Sequence, residues 1–274
     1  MITNMMKTNK MLTGMMAWGF PLLLSLISCS EKSSSELTLQ QATLHKQVTL
    51  TNEENAPHCE IDMKLHYVTA NGKGAAAAKA INDTIIDRLF FMQQLTVQEA
   101  IDSFANQYSR DYVSNLLPLY QENKAKNEQF PWYECYYNMS SDTRQDKSGT
   151  LNYIVELEYF EGGAHGVNQK LAMNFDTNTG QLLTLNDLLV PGYEKRLNDL
   201  LLKALMEKTK AANTEQLNEM GYLVATEIYA PENYIVGKDS ITFIYNPYEI
   251  APYAMGKTEL SLGYDELKEL MPAE

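Results

Sequence analysis

Cys29 stands at the end of an N-terminal segment with the features of a lipoprotein signal peptide. Lys7 and Lys10 supply positive charge near its start, and the stretch from Met11 to Ser28 carries no charge. The tripeptide Leu-Ile-Ser, which ends in a small residue, directly precedes the cysteine. This order of charged, apolar and small residues predicts that residues 1–28 are removed and that the Cys29 thiol takes a lipid.

A membrane-spanning helix is the alternative interpretation of the same segment. The uncharged stretch is almost long enough to cross a bilayer, but Gly14, Gly19 and Pro21 interrupt it. We therefore expect a mature lipoprotein that begins at a diacylated Cys29 and is held in the cell envelope by acyl chains such as palmitate. Ser30, in place of an aspartate, follows the cysteine and favours the outer membrane of a Gram-negative cell, on its periplasmic or surface face.

Cys59 and Cys135 are the other two cysteines, and each lies on the apolar face of an alternating segment. An oxidising compartment permits one bridge between them. A disulfide and two buried free thiols remain equally compatible with the sequence, because it does not give the distance between the two residues.

Residues 161–166, Glu-Gly-Gly-Ala-His-Gly, combine three glycines with a histidine between two predicted strands. Glycine permits backbone conformations that other residues avoid, so His165 is expected on a tight, shaped turn. A plain hairpin loop is one interpretation. The other is a ligand-binding turn made of Gly163, Ala164, His165 and Gly166, or a general base at His165 supported by Glu161.

A second segment, residues 245–254, packs three tyrosines and two prolines into a loop that follows a strand. Prolines stiffen such a loop, and tyrosines offer a large amphipathic contact area at low entropic cost. Tyr248, Pro252 and Tyr253 are therefore candidate ligand-binding residues. A loop that folds back on its own core is the alternative.

Recognisable catalytic and cofactor motifs are absent from the sequence. It has no G-x-S-x-G, G-x-x-x-x-G-K-[ST], H-E-x-x-H or C-x-x-C pattern, and its four histidines lack metal-ligand spacing. Asp176, Asn178 and Gly180 resemble the start of a calcium loop, but the glycine comes one position early and no glutamate follows at the twelfth position. We expect a plain turn there, with no catalytic residue, metal or cofactor in the protein.

The charge balance limits the class of partner. The chain has 35 acidic residues against 22 lysines and arginines, and loss of Lys7 and Lys10 with the leader lowers the formal net charge from −13 to −15. This composition argues against a nucleic-acid partner, which requires clustered basic residues. It suits a cationic partner, although acidity that only keeps an envelope protein soluble is equally compatible.

Short alternating segments and helical stripes predict an α+β fold in which antiparallel meander sheets pack with helices. Residues 29–45 are polar and serine-rich at their start and read as a flexible tether. Thr96 and Glu99 predict a capping box at the start of a helix that Pro118 should kink or end. The predicted strands are 59–68, 132–139, 151–160, 167–175, a segment near Tyr234, 241–245 and 259–262, and the other helices are 75–92, 193–210 and a last one through Leu267, Leu270 and Met271.

Two strings of the sequence resemble a known pair of envelope domains. They are YFEGGAHGVNQKLAMNFDTNTGQLLTLNDLL and, further on, ITFIYNPYEIAPYAMGKTELSLGYDELKEL. Both are similar to the RsiV-like extracellular region of lysozyme-sensing anti-sigma factors and to the PdaC-like domains that precede peptidoglycan deacetylase domains. The resemblance covers about residues 55–272. It implies a PdaC-like domain over 46–175 and an RsiV-like domain over 176–274, as two related or intimately packed subdomains.

The resemblance also implies a binding function. In the anti-sigma factors this unit binds lysozyme through loops that correspond here to the turn around His165 and to the segment at Pro252 and Tyr253. The sequence shows neither a sigma-binding region nor a deacetylase domain, so we expect neither activity. We expect a lipid-anchored binding protein that recognises lysozyme or another cationic protein. An envelope glycan-binding protein, or a peptidoglycan-modifying enzyme that uses His165 and a carboxylate, is the alternative.

Overall fold

Five strands form the first sheet of the computed structural model, which describes residues 37–128, 130–145 and 149–272. All of these residues belong to one compact unit, whereas Cys29 and the leader lie outside the described ranges. The strands follow one another across the sheet in chain order. They are β1 (Thr38–Thr49), β2 (His58–Thr69), β3 (Cys135–Gln145), β4 (Thr150–Phe160) and β5 (Val167–Asp176).

The β2–β3 pair is parallel, and the other neighbouring pairs are antiparallel. The α+β class is therefore confirmed, but the expectation of purely antiparallel meanders is wrong for this sheet. A parallel neighbour needs a crossover connection, and two helices supply it. These are α1 (Ala75–Phe90) and α2 (Val97–Ala125).

Both helices pack on one face of the sheet, against the inward-pointing residues of β2, β3 and β4. The expected capping box is present, since Thr96 Oγ1 accepts from the Glu99 N–H at 3.2 Å and Glu99 Oε2 accepts from the Thr96 N–H at 2.8 Å. Pro118 does not end the helix, which continues to Ala125. Leu117 and Tyr120, on either side of the proline, pack against the core and hold the last turns in place.

The tether ends earlier than the sequence suggests, because β1 begins at Thr38. Its residues pair with β2 without interruption from Thr38, opposite Thr69, to Thr49, opposite His58. In the first part of the strand only Ala42 is buried. Backbone pairing at a sheet edge leaves no apolar period in the sequence, so a tether over 29–45 was the wrong prediction for residues 38–45.

Cys59 and Cys135 lie directly opposite each other on the parallel strands β2 and β3. Both are buried free thiols in the structure. The structure therefore contains two thiols at these positions and not a disulfide. Burial raises the pKa of Cys59 to about 12 and that of Cys135 to about 11, which keeps both protonated at neutral pH.

Three further strands form a smaller antiparallel sheet with a core of its own. The buried residues of the first core end at Phe175 and those of the second begin at Leu185. The division into two domains at residue 176 stays a prediction. Between the two cores Asp176 Oδ1 accepts from the Asn178 and Thr179 N–H groups, which makes the expected plain turn.

The remaining elements are α3 (Leu185–Leu188), α4 (Glu194–Thr209), α5 (Thr214–Glu219), β6 (Tyr234–Val236), β7 (Ser240–Tyr245), β8 (Thr258–Gly263) and α6 (Tyr264–Leu267), with 3₁₀ turns at Gly72–Gly74, Pro131–Tyr133, Tyr253–Met255 and Lys268–Leu270.

None of the helices in the described ranges combines the length and the apolar character that a bilayer crossing requires.

The two sheets are joined by asparagine side chains that bond to strand backbone. We name Asn152, Asn174, Asn233 and Asn246 the asparagine joint. Asn174 accepts from the Asn152 amide at 2.9 Å and from the Val236 N–H at 3.0 Å, and it donates to Tyr234 O at 2.8 Å. Asn233 and Asn246 lie on the side of the second sheet, and their side chains form hydrogen bonds to the backbone of β5 in the first sheet.

We expect Asn174→Ala to lower the free energy of unfolding by about 3 kcal/mol, because buried donors and acceptors on both sheets lose their partner at once. Urea denaturation of both proteins measures the difference. Asn138→Ala is the matched control, since Asn138 is exposed on the same side of the first sheet; it should change the free energy of unfolding by no more than about 0.5 kcal/mol. Equal effects of the two substitutions would contradict the role of the joint.

Candidate binding surface

The turn between β4 and β5 meets the loop after β7 at one exposed corner of the molecule. His165 Nε2 lies 2.9 Å from the Tyr248 hydroxyl. The His165 ring stacks on Tyr253 with 3.8 Å between ring centroids and 14° between planes. The two segments that the resemblance assigns to ligand binding therefore lie side by side. We name His165, Tyr248 and Tyr253 the aromatic corner.

Glycines give the turn its shape. Gly162 and Gly163 have φ of +92° and +98°, in the region that favours glycine. At Gly166 a Cβ atom would lie 2.8 Å from the backbone oxygen of Tyr159 and 3.0 Å from the Tyr136 hydroxyl. Glycine there lets the turn lie directly against β3 and β4. Ala164 and Gly163 are exposed at its tip.

The loop between β7 and β8, residues 246–257, is partly anchored and partly exposed, and we name it the tyrosine loop. Ile250 is buried, and its carbonyl accepts from the Leu223 N–H at 2.8 Å. Tyr248 is 64% exposed and has φ of 75°, a conformation that is rare for tyrosine. Its N–H donates to Ala251 O at 2.9 Å, which holds this conformation. Pro252 is exposed, so the loop both folds back on the core and presents its aromatic side chains.

The His165 ring stacks on Tyr253 and makes hydrogen bonds through both of its nitrogens. Its Nδ1 lies 3.0 Å from Gly166 O, and because a carbonyl only accepts, Nδ1 carries the proton. In the neutral ring Nε2 then accepts from the Tyr248 hydroxyl. Within the described ranges no carboxylate forms an ion pair with His165, and Glu161 makes no hydrogen bond to it.

Sequence reasoning missed several aromatic side chains next to the corner. Tyr136 stacks on Phe160 with 6.3 Å between centroids, and Trp132 stacks on Phe130 at 3.8 Å. A Cβ on Gly162 would lie 3.2 Å from Trp132 Cβ, which places Trp132 directly under the turn. The signal for Tyr136 and Phe160 is their position on the outward side of β3 and β4, opposite to the side that faces the core.

The second sheet covers part of the outer side of the first sheet, at Asn152, Ile154 and Asn174. The part that it leaves uncovered lies beside these aromatic residues, and we name it the open face. Glu60 is next to Tyr136 in the strand register, Asp62 is next to Asn138, and Asn138 is next to Glu158. A shallow cavity of about 640 Å³ is lined by Asp62, Glu158 and their neighbours. Among the described residues, the group of potential metal ligands comprises His45, Glu60 and Asp62, on this same face.

Glu249 is the residue of the tyrosine loop whose carboxyl pKa is shifted. Burial raises its pKa above the usual range, although its carboxylate accepts from the Asn246 N–H at 2.9 Å, which acts in the opposite direction. Because the pKa is higher in the folded state, the charged form costs stability at neutral pH. That cost disappears as the pH falls through the folded-state pKa.

We expect Glu249→Gln to raise the melting temperature at pH 7, since the glutamine amide oxygen still accepts from Asn246 without a buried charge. The advantage over the unsubstituted protein should vanish near pH 4. Thermal melts from pH 4 to pH 8 measure this. Glu227→Gln removes one negative charge from an exposed side chain and is the control; a pH-independent difference for Glu249→Gln would contradict the argument.

Residues 186–265 match a family model described as "Protein of unknown function (DUF3298)". The fold is similar to the crystal structure of a DUF3298-family member from Bacteroides fragilis, with a TM-score of 0.80 and 26% identity over 88% of this chain and 96% of that one. It is also similar to a DUF3298-family protein from Pseudomonas aeruginosa, with a TM-score of 0.56 and 18% identity over 86% and 95% of the two chains. No curated protein matches the sequence. The match to DUF3298 therefore lies in the part of the chain that supplies Tyr248 and Tyr253, and the fold as a whole is similar to those of two DUF3298-family proteins.

Proposed function

We propose that the protein is a lipid-anchored binding protein of the cell envelope that recognises a cationic protein such as lysozyme. The observation that carries the proposal is the aromatic corner, where His165 and Tyr253 stack at 3.8 Å and Tyr248 is well exposed. Rigid aromatic side chains of this kind provide most of the energy of many protein interfaces. The resemblance to RsiV-like and PdaC-like domains supports the same choice.

Charge supports a cationic partner. The carboxylates of the open face adjoin the aromatic corner through Glu60 and Tyr136, which are neighbours in the strand register. A concentration of negative charge beside a hydrophobic anchor accelerates the association of a basic protein and orients it. A formal net charge of −13 for the whole chain acts in the same direction.

Anchoring at Cys29 would hold the start of β1 near the membrane. Eight residues, Cys29 to Glu36, precede the first described residue, Leu37. A chain of that length spans at most about 28 Å. Thr38 pairs with Thr69 at the end of β2, whereas Glu60, the register neighbour of Tyr136, lies near the start of β2. The aromatic corner would therefore lie at the end of the first sheet away from the anchor.

Cys29→Ala should leave a precursor that is neither lipidated nor cleaved at this site, because the thiol is the proposed lipid acceptor. Metabolic acyl labelling and membrane fractionation of both forms measure this. Cys59→Ala is the control cysteine substitution and should leave labelling intact. Acyl labelling of the Cys29→Ala variant at the level of the unsubstituted protein would rule out the anchor.

For recognition, Tyr253→Ala should weaken lysozyme binding by about 2 kcal/mol or more if the tyrosine is an energetic centre of the interface. Calorimetric titration of residues 30–274 with lysozyme measures the affinity, and thermal melts test whether the variant stays folded. Met255→Ala, an exposed residue of the same loop, is the matched control. No heat for the unsubstituted protein at low and moderate salt would remove lysozyme as the ligand.

Glycan binding is the second candidate. It is favoured by the partly exposed rings of Trp132 and Tyr136, which lie beside the carboxylates and amides of the open face. Aromatic faces combined with polar groups suit sugar rings as well as proteins. The same titration with peptidoglycan fragments distinguishes the candidates, since a glycan site would depend on Trp132. Hydrolysis or modification of those fragments during the titration would instead support the enzyme alternative with His165 and a carboxylate.

A further inference from the structure

We propose that His45, Glu60 and Asp62 form a binding site for a divalent transition-metal ion, with Zn²⁺ as its probe. His45 on β1 lies directly opposite Asp62 on β2, and Glu60 is two residues before Asp62 on the same strand. Residues i and i+2 of a strand point to the same side, so all three side chains share the open face. The inference does not rest on the proposed protein or glycan ligand.

The distances suit one ion after small side-chain adjustments. His45 Nδ1 lies 2.8 Å from Asp62 Oδ1 and 3.9 Å from Glu60 Oε1, and the three ligand atoms lie within 4.8 Å of one another. Ligands bound to tetrahedral Zn²⁺ at about 2.1 Å are roughly 3.4 Å apart. The observed distances bracket that value. The backbones are held in an uninterrupted strand pair, whereas the side chains are partly exposed and free to rotate.

The ligand types select the class of metal. One imidazole nitrogen with two carboxylates suits Zn²⁺ and related transition metals, whereas Ca²⁺ and Mg²⁺ prefer oxygen ligands alone. Three protein ligands leave a fourth position for water or a ligand. Asn138 is next to Asp62 in the register and offers a further oxygen at the edge of the site.

The carboxylates of the site are not paired with a lysine or arginine in the described ranges, although Lys64 lines the same cavity. The ion pairs that Glu60 and Asp62 form within those ranges are with His45. Other carboxylates of this face differ, since Glu156 is paired with Lys257 at 2.6 Å. Negative charge that is not already neutralised is the condition under which a divalent cation gains most from binding.

His45 is distinguished from the other histidines by having two carboxylates within reach. His58 pairs with Glu134 alone at 2.9 Å, and His66 contacts Ser141 and Gln41. His66 also points to the outer side of the same strand pair. It is therefore a matched control that keeps the strand context and lacks the carboxylates.

Calorimetric titration of the chelator-treated protein, prepared without a histidine tag, with ZnCl₂ tests the proposal. We expect one saturable site, a loss of about tenfold or more in affinity for His45→Ala and for Asp62→Asn, and no change for His66→Ala. Excess Ca²⁺ should not compete. No saturable Zn²⁺ binding, or equal binding by His45→Ala and the unsubstituted protein, would overturn the proposal.

X-ray absorption at the zinc edge decides the case even if a variant fails to fold, because it uses the unsubstituted protein. The expected first shell contains one imidazole nitrogen and at least two oxygens. A shell with sulfur, or with no imidazole contribution, would place the ion elsewhere and overturn the assignment.

Discussion

The asparagine joint is the interaction on which the rest of the structure depends. The outer strand β5 would otherwise leave the N–H and C=O of Lys170 and the N–H of Ala172 unpaired beside the second sheet. Asn246 and Asn233 supply these partners, with bonds of 2.7 to 3.2 Å. Asn174 and Asn152 do the same for the backbone of β6. Because buried backbone groups must be paired, only a narrow range of relative positions of the two sheets satisfies all of them.

That constraint extends to the aromatic corner. Asn246 is the first residue after β7, and its bonds to Lys170 fix the start of the tyrosine loop. Lys170 lies only five residues after His165 in the chain. Tyr248 follows two residues after Asn246 and so comes within hydrogen-bond distance of the His165 ring. The asparagine joint, whose polar groups are hydrogen-bonded, thus determines the geometry of the aromatic corner. Packing of the two hydrophobic cores alone would fix the positions of these exposed side chains less precisely.

Residue patterns predicted much of this fold because burial on one side of a strand or helix leaves a visible period. β2, β4 and α2, the helix that Thr96 caps, follow directly from such periods. Three features left no such trace. Parallel and antiparallel neighbours require the same alternation, the edge strand β1 is held by its backbone, and the asparagines of the joint have the polarity of surface residues. The meeting of His165 with Tyr253 was predictable only through resemblance, since 88 residues separate them in the sequence.

Charge is distributed unevenly over the open face, and this links the two proposed sites. Near the second sheet, Lys170 and Lys257 neutralise Glu259 and Glu156. Toward β1, the ion pairs that Glu60 and Asp62 form with described residues are those with His45. Glu60 is also the register neighbour of Tyr136, at the border of the aromatic corner. A divalent ion held by Glu60 and Asp62 would cancel the negative charge that attracts a basic protein to this side. Occupancy of the metal site and affinity for a cationic partner would therefore oppose each other, and by thermodynamic linkage the partner would weaken the metal by the same factor.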